Sequence, residues 1–531
     1  MAMQALANRA GTLLANHPRF AALGFGLVAA TGFQPLQIWP LAMAGLAGLI
    51  RLGMGAGSWR EALLRGWLFG LAHFTLTNNW IATAFTYQAE MPAVLGWAAV
   101  PLLSVYLAVY PALAVMGAHL LARNRSIPVW SLAFAGTWIV TEWLRSWVFT
   151  GYVWGPLSLM WVGPFARPGL ALLLPWFGTY ALSGVVALAS GLALWLVQER
   201  RYAVLGGATA VLALGMYLPQ PAERSSDLAM TLVQPDLRQE VLDDPSNFEQ
   251  QFMTLHRLSQ PDREFDRRLV LWPESAVPDY LRPGYPQRYY DRMTVAGDPL
   301  FARRRIGYAI GEDSLLLTGM VDLEIGEVDG YEKAVGAYNA IAPIAADGTI
   351  GERYSKAHLV PYGEYLPMRS LLEPLGMTRL VAGSIDFIPG PGPRTLDLGR
   401  WGKAGMQICY EIVFSGEVVD RTDRPDYIFN PSNDGWFGAW GPPQHLGQAR
   451  MRAIEEGLPV LRSTTTGISA VIDAKGVVRD HIGMHRADRI DGFVPQALAP
   501  TLFARLGHGL TAIWALGFIL VSLVAARRFT R

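Results

Sequence analysis

Cysteine is almost absent from this chain, which has one such residue, Cys409, among 531. A single thiol excludes a framework of intrachain disulfides, so cysteine usage does not identify the redox compartment. Lysine is also scarce, with only four residues among the 44 Lys and Arg. A formal net charge of +1 gives no indication of a nucleic-acid partner.

Acidic residues are nearly missing from the first part of the chain. Residues 1–218 contain no Asp and four Glu, and the other 39 of the 43 acidic residues lie beyond them. Charged residues make up 16% of the chain, whereas about 25% is usual for soluble domains. This distribution excludes an ordinary water-soluble domain at the N-terminus. It predicts a transmembrane domain over 1–218, followed by a domain that folds in water.

Apolar runs predict seven membrane-spanning helices in 1–218 and one more at 508–526, because a span needs about 20 mostly apolar residues. A cleaved signal peptide is the alternative for the first run, but no small-residue cleavage site follows it cleanly. The predicted spans are 20–33, 38–52, 63–85, 93–122, 128–149, 169–197, 202–218 and 508–526.

Arginine predicts the orientation, because basic residues concentrate in cytoplasmic loops. The loops after spans one and three carry no Lys or Arg, and the loop after span five carries only Arg167. These loops alternate with Arg-rich ones, so we expect both termini in the cytoplasm and 220–505 on the outer side. In a Gram-negative bacterium this arrangement means the inner membrane, with 220–505 in the periplasm. The Arg-rich positions are 9, 19, 51, 60, 65, 123, 125, 200, 201, 527, 528 and 531.

Two charges stand inside or at the end of the fifth span. Glu142 and Arg145 in "TEWLRSWVF" are i,i+3 neighbours on a helix. Intramembrane charges are costly and usually face the interior of a bundle. A structural ion pair is one interpretation, and a contact with a lipid head group is the other.

From residue 228 onwards, short strand-like runs alternate with helical stretches, which indicates an α/β domain with helices covering a sheet. In such domains the chemistry lies at strand ends. Glu274 ends "RLVLWPE", Lys356 follows "GERYS" and Cys409 ends "KAGMQIC". Each residue also has a plainer interpretation. Glu274 could be a solvated carboxylate, Lys356 a surface charge and Cys409 a small buried hydrophobe.

Cys409 is a candidate nucleophile because an apolar run ends there and passes directly to Tyr410 and Glu411. A strand-to-helix turn at this point would expose the sulfur and direct backbone N–H groups at it, as at a nucleophile elbow. A thiolate needs a base or a positive environment. Glu274 could supply the base and Lys356 the charge, since this chain otherwise uses arginine for positive charge.

The motifs "WPES", "YSKAHLVPYGEYLP" and "CYE", in this order, resemble the Glu-Lys-Cys triad of the nitrilase superfamily. Together with "NPSNDGWFG" and "QARMRAIEEGLPVLRSTTTGISAVID", they are similar to its membrane branch, the apolipoprotein N-acyltransferases. The resemblance covers the whole chain and implies a nitrilase-like αββα sandwich over 220–505. It implies no cofactor and no metal. The implied acyl donor is a phospholipid, usually phosphatidylethanolamine, and the implied acceptor is the α-amine of an S-diacylglyceryl cysteine that begins an apolipoprotein.

The resemblance also implies roles for the three strand-end residues. Glu274 takes the thiol proton, Cys409 forms a thioester in a ping-pong mechanism, and Lys356 with a backbone N–H after the cysteine faces the oxyanion.

Four supporting residues follow from the same resemblance: Glu364, which positions Lys356, and Tyr410, Glu411 and Trp436, which shape the pocket. Glu411 has a second interpretation, as a helix N-terminal carboxylate favoured by the dipole. The resemblance further implies a Trp shortly after the first strand of this domain, but residues 233–245 contain none. Segments 361–380 and 434–443 are expected to lie over the membrane as mobile arms, with core packing as the alternative.

Two other classes of protein fit parts of the sequence. A membrane-tethered amidase of nitrilase type needs only one or two spans, so seven preceding spans disfavour it. A transporter with a soluble sensor domain predicts charged or broken spans along a path and does not need a Glu-Lys-Cys set.

Overall fold

The structure is a computed structural model that describes residues 16–87, 93–221, 224–242, 244–372, 374 and 386–528. Positions 9 and 531 of the Arg pattern lie outside the described residues, as do 373 and 375–380 of the segment 361–380.

The described residues between 16 and 217 are mostly helical, and a helix lies at each of the seven positions where the sequence predicts one. Among the described residues, three apolar helical segments are long enough to cross a bilayer: Val94–Ala122, Leu170–Gln198 and His508–Arg528. Pro18–Ala30, Trp39–Met54 and Tyr202–Tyr217 are shorter and also apolar. The helices of this part are Pro18–Ala30, Trp39–Met54, Trp59–Thr77, Ile81–Ala84, Val94–Leu107, Val109–Ala122, Ile127–Arg145, Leu174–Gln198 and Tyr202–Tyr217.

The Glu142–Arg145 pair is structural. Both side chains are buried, with relative exposures of 4% and 2%, and Arg145 Nη2 lies 3.8 Å from Glu142 Oε1. Arg145 Nη1 donates to the carbonyl of Trp154 at 2.9 Å, and the N–H of Leu157 donates to Glu142 Oε1 at 3.0 Å. The head-group interpretation is therefore wrong, because neither charge reaches the surface. The pair instead holds residues 154–157, which follow the helix Ile127–Arg145, in place.

Two six-stranded sheets lie in the described residues of the second part of the chain. The strands are β1 (Ser225–Gln234), β2 (Arg268–Leu271), β3 (Ser314–Val328), β4 (Tyr331–Ala345), β5 (Tyr354–Ser355), β6 (Thr395–Asp397), β7 (Lys403–Met406), β8 (Tyr427–Ser432), β9 (Val460–Thr464), β10 (Ser469–Ile472), β11 (Val478–Ile482) and β12 (Asp488–Pro495). The first sheet has the order β12-β1-β2-β3-β4-β5 and the second the order β11-β10-β9-β8-β7-β6. In each sheet three central strands are parallel and the outer pairs are antiparallel.

The sheets stack because their strands are apolar on both faces, and alternate residues face opposite sides. Leu269 and Leu271 of β2 belong to the core shared with the second sheet. Val270 between them faces the other way, where it packs with residues of the helices Phe248–Ser259 and Pro299–Ile310. The predicted helix–sheet–sheet–helix layering is thus present.

The helix Gly441–Glu456 covers the outer face of the second sheet and also contacts the N-terminal helices. Leu446 and Ala449 pack in one apolar cluster with residues of the second sheet, whereas Met451 and Ile454 pack among the N-terminal helices. The guanidinium of Arg450 donates to the carbonyls of residues 163, 164 and 167 at 2.7–3.0 Å. This helix therefore fixes the sandwich against the N-terminal part.

The remaining helices are mostly short and lie around the sandwich or at the C-terminus. They are Gln239–Leu242, Gln287–Met293, Arg369–Leu372, Leu502–Leu506 and His508–Arg528.

Candidate active site

Three strand ends converge at one edge of the two sheets. Glu274 follows β2 and Lys356 follows β5, and these strands run in the same direction because β4 is antiparallel to both β3 and β5. Cys409 follows β7 of the second sheet. The fold therefore brings together three residues that lie far apart in the sequence, and all three are buried.

Lys356 lies between two carboxylates. Its Nζ is 3.0 Å from Glu364 Oε1 and 3.6 Å from Glu274 Oε1. Burial disfavours the ammonium, but Glu364 and then Glu274 raise the pKa of Lys356 above its ordinary value. Lys356 is therefore a permanent cation near neutral pH, and it can donate hydrogen bonds but cannot act as a base.

Two asparagines that the sequence did not single out hold the carboxylates. Asn339 Nδ2, from β4, donates to Glu274 Oε1 at 2.7 Å and to Glu364 Oε1 at 2.8 Å. The N–H of Asn433 donates to Glu274 Oε2 at 2.8 Å. Glu274 is thus held at both oxygens, so its orientation toward Lys356 is fixed. The motif "NPSND" contains Asn433. Asn339 lies within β4, outside every motif that the sequence analysis identified, so the sequence gives no indication of its role.

Cys409 stands at a sharp turn. Its φ is +51°, in the left-handed region that residues other than Gly rarely adopt, and a 3-10 helix runs from Cys409 to Val413. Such strained positions cluster at functional sites. The predicted elbow is present, but the residue is buried, with a relative exposure of 5%. The expectation of an exposed sulfur is wrong because the site is covered.

Burial raises the pKa of the Cys409 thiol well above its ordinary value; the nearby charge of Glu274 adds to this shift and Lys356 opposes it. The resting group is therefore a thiol near neutral pH. A base that acts during the attack is required, and Glu274 is the carboxylate placed beside it.

Glu411 connects the two chain segments that carry the nucleophile and the lysine. Its carboxylate accepts the N–H of Ile408 at 2.7 Å, the N–H of Ala357 at 2.7 Å and the hydroxyl of Tyr354 at 2.8 Å. The first of these bonds is the expected helix N-terminal contact, and the others reach across to the segment of Lys356. Glu411 therefore holds the segment of Lys356 against the turn that carries Cys409.

Glu411→Gln is expected to destabilise the protein, because the amide turns an N–H₂ group toward backbone N–H donors. Hydrogen bonds to charged groups contribute about 1.5–3 kcal/mol each, so the midpoint of thermal unfolding in detergent should fall clearly. Tyr354→Phe is the matched control, since it removes one donor and leaves the backbone contacts of Glu411 intact. Equal midpoints for the two variants would contradict this role.

The other two predicted supporting residues, Tyr410 and Trp436, make aromatic contacts. Tyr410 is buried, and its ring packs edge-on against Phe414, with centroids 5.1 Å apart. The Trp436 ring contacts Tyr87 of the N-terminal part edge-on at 5.7 Å. Phe437, beside it, packs on Trp80 at 4.8 Å, so core packing accounts for part of the segment 434–443.

In the segment where a Trp was expected, Gln239 reaches the site. Its Oε1 accepts the side-chain N–H of Asn433 at 2.9 Å. A polar side chain therefore supports the loop that holds Glu274. Among the described residues, no group of three or more His, Cys, Asp and Glu is placed to hold a metal ion.

Two family models match the chain. Residues 25–192 match the apolipoprotein N-acyltransferase N-terminal domain, and residues 231–481 match carbon-nitrogen hydrolase.

Curated relatives named apolipoprotein N-acyltransferase are similar along almost the whole chain. The protein of Rhodopseudomonas palustris is 33% identical over 510 residues, covering 92% of this chain and 91% of the relative. That of Bradyrhizobium diazoefficiens is 33% identical over 530 residues, covering 96% and 94%. That of Caulobacter vibrioides is 32% identical over 529 residues, covering 96% and 94%.

Proposed function

The chain belongs to the apolipoprotein N-acyltransferase family, and on this premise we propose that it completes lipoproteins by N-acylation. An acyl chain passes from a membrane phospholipid to Cys409 as a thioester. It then passes to the α-amine of the S-diacylglyceryl cysteine at the start of an apolipoprotein. The donor that the resemblance favours is phosphatidylethanolamine.

In the first half-reaction, Glu274 takes the thiol proton while Cys409 Sγ attacks the ester carbonyl of the phospholipid. Lys356 and the N–H of Tyr410 stabilise the oxyanion of the tetrahedral intermediate. When the intermediate collapses, the ester C–O bond breaks and the proton on Glu274 passes to the leaving alkoxide. Lysophospholipid departs, and the acyl group stays on sulfur.

In the second half-reaction, the amine of the acceptor attacks the thioester carbonyl. Glu274 removes a proton from the attacking nitrogen, and the same two donors hold the second oxyanion. The C–S bond then breaks, and the thiolate recovers a proton from Glu274. One set of groups therefore serves both halves, which is the basis for proposing ping-pong kinetics.

The observation that carries this proposal is the position of Lys356 between Glu274 and Glu364, next to a cysteine at a strained turn. A buried cation that stays protonated is suited to an oxyanion and not to proton abstraction. Glu274 is left as the base, and Glu364 is assigned to holding Lys356.

Exposed apolar side chains support a location in a membrane, which we propose is the bacterial inner membrane. Phe20 and Trp97 are exposed by 74% and 69%, and Leu516 on the last helix by 59%. Exposed apolar surface of this kind is normal in lipid and a liability in water. We assign 1–218 and 508–526 to the transmembrane part and 220–505 to the catalytic part.

The proposed orientation puts the catalytic part in the periplasm. Alkaline phosphatase fused at residue 330, in the exposed turn between β3 and β4, is expected to be active, and β-galactosidase fused there to be inactive. Fusions at residue 124, in an Arg-rich loop, serve as the control with the opposite pattern. Reporters at residue 330 that are active only in the cytoplasm would reject this topology and the substrate assignment with it.

The proposed activity is tested with purified protein, phospholipid carrying a labelled acyl chain and a synthetic S-diacylglyceryl cysteine peptide. Labelled N-acylated peptide is the expected product. A peptide whose α-amine is already acetylated is the matched control and should accept no label. Release of free labelled fatty acid without peptide product would favour a hydrolase instead.

A further inference from the structure

A buried polar cluster lies directly behind the nucleophile and has no part in the scheme above. It consists of Asp434 after β8, His445 in the helix Gly441–Glu456 and Arg462 in β9, and each side chain is essentially inaccessible to solvent. Burying three ionisable groups is costly unless they satisfy one another. Their contacts therefore indicate what the cluster does.

The cluster contacts the backbone of Cys409, the proposed nucleophile. Arg462 Nη2 donates to Asp434 Oδ2 at 2.7 Å and Oδ1 at 2.8 Å, and it lies 3.0 Å from His445 Nδ1. His445 Nδ1 is also 3.0 Å from Asp434 Oδ1. On the other side of the ring, His445 Nε2 is 3.1 Å from the carbonyl oxygen of Cys409.

The contacts require that His445 Nε2 carries a hydrogen. The Cys409 carbonyl can only accept, so Nε2 must donate to it. Burial and Arg462 lower the pKa of His445, which favours the neutral ring, with Nδ1 accepting from Arg462. A protonated ring, with Nδ1 donating to Asp434, would keep the same Nε2–H. The hydrogen bond from His445 Nε2 to the Cys409 carbonyl therefore forms whether the ring is neutral or protonated.

This bond fixes the direction of the next N–H group. The peptide unit between Cys409 and Tyr410 is planar and trans, so its C=O and N–H point in opposite directions. With the carbonyl held toward His445, the N–H of Tyr410 must point away from the cluster. Within the part of the chain that the structure describes, no hydrogen bond uses this N–H. It is free to bind an external acceptor.

We propose that His445 is a positioning residue that orients the oxyanion-binding N–H of Tyr410 by holding the carbonyl of Cys409. Asp434 and Arg462 fix the ring, and Asn430 Nδ2 gives weaker support to the same carbonyl at 3.4 Å. The left-handed φ of Cys409 makes such support necessary, because this conformation is costly for a residue with a side chain. The inference deepens the proposed function and depends on it for the reaction that is served.

His445→Leu tests this role, with His445→Gln as the conservative variant, because the Gln amide can place an N–H near the position of Nε2. Acylation of Cys409 by a p-nitrophenyl ester needs the oxyanion site, whereas alkylation by iodoacetamide at a saturated carbon does not. For His445→Leu we expect the burst of p-nitrophenol release, which reports acylation of Cys409, to be about 10²-fold slower. Losing one oxyanion donor typically has an effect of this size. The alkylation rate of His445→Leu should stay within about threefold of wild type, and Gln should restore most of the burst rate.

Gln448→Leu is the matched control, because Gln448 is buried one turn further along the same helix and has no bond to Cys409. An unchanged burst in His445→Leu would overturn the proposal. Parallel loss of alkylation and acylation, without rescue by Gln, would also overturn it and show a purely structural role. Failure of the proposed function would look different: a wild-type protein that reacts with the nitrophenyl ester but takes no acyl group from phospholipid.

Discussion

Cys409→Ser is expected to abolish transfer of a labelled acyl chain from phospholipid to the protein. A hydroxyl is a much weaker nucleophile than a thiol in a site built around one carboxylate base, and loss of the nucleophile in a comparable acyl-enzyme mechanism costs on the order of 10⁶ in kcat. No second thiol can substitute, because the chain has only one cysteine. The measurement is the amount of label that stays with the protein and is released by hydroxylamine.

Cys409→Ala should behave in the same way, which would separate loss of the thiol from any effect of the hydroxyl. A Ser variant that still becomes acylated to the full extent would remove Cys409 from the mechanism. Near-native unfolding midpoints for both variants are the control for folding.

Lys356→Ala is expected to slow both half-reactions by about 10²–10³, since each passes through an oxyanion at the same carbonyl carbon. Lys356→Arg should not rescue the rate. The site is closed around a compact ammonium that is in contact with two carboxylates, and a planar guanidinium does not fit the same geometry. Single-turnover rates for each half, with preformed thioester for the second, measure the effect.

Lys333→Arg is the matched control, because Lys333 is half exposed and its Nζ lies 4.0 Å from Asp329, remote from the site. It should leave both rates unchanged. Near-normal rates in both halves for Lys356→Arg would mean that Lys356 supplies only a distant positive charge, and the oxyanion role would be wrong.

The positions of Glu274, Lys356 and Cys409 could be anticipated because each ends an apolar run, and strand ends of an α/β domain meet at one edge. The predicted alternation of strand-like runs with helical stretches is likewise present, and Phe248–Ser259 and Gly441–Glu456 are two of the helices that lie between strands. In these cases the decisive information is local: an apolar period, a strand end or a turn.

What the sequence could not predict depends on contacts across the fold. The bond from His445 to Cys409 joins a helix to the turn after β7, and Asn339 meets Glu274 from another strand. The sequence also did not predict that Cys409 is buried.

The predicted span 93–122 is divided into Val94–Leu107 and Val109–Ala122. A kink at Gly178, whose φ is +70°, also interrupts the helix Leu174–Gln198. Hydropathy alone does not reveal such breaks.

A thioester on Cys409 is the central feature of the proposed mechanism, and mass spectrometry of the Cys409 peptide tests it most directly. Purified protein is incubated with phospholipid carrying a defined acyl chain, sampled, and then given the S-diacylglyceryl cysteine peptide. We expect one acyl chain on Cys409, sensitive to hydroxylamine, that disappears as N-acylated peptide forms. Formation of that product while Cys409 stays unmodified at every time point would contradict the mechanism and indicate direct transfer.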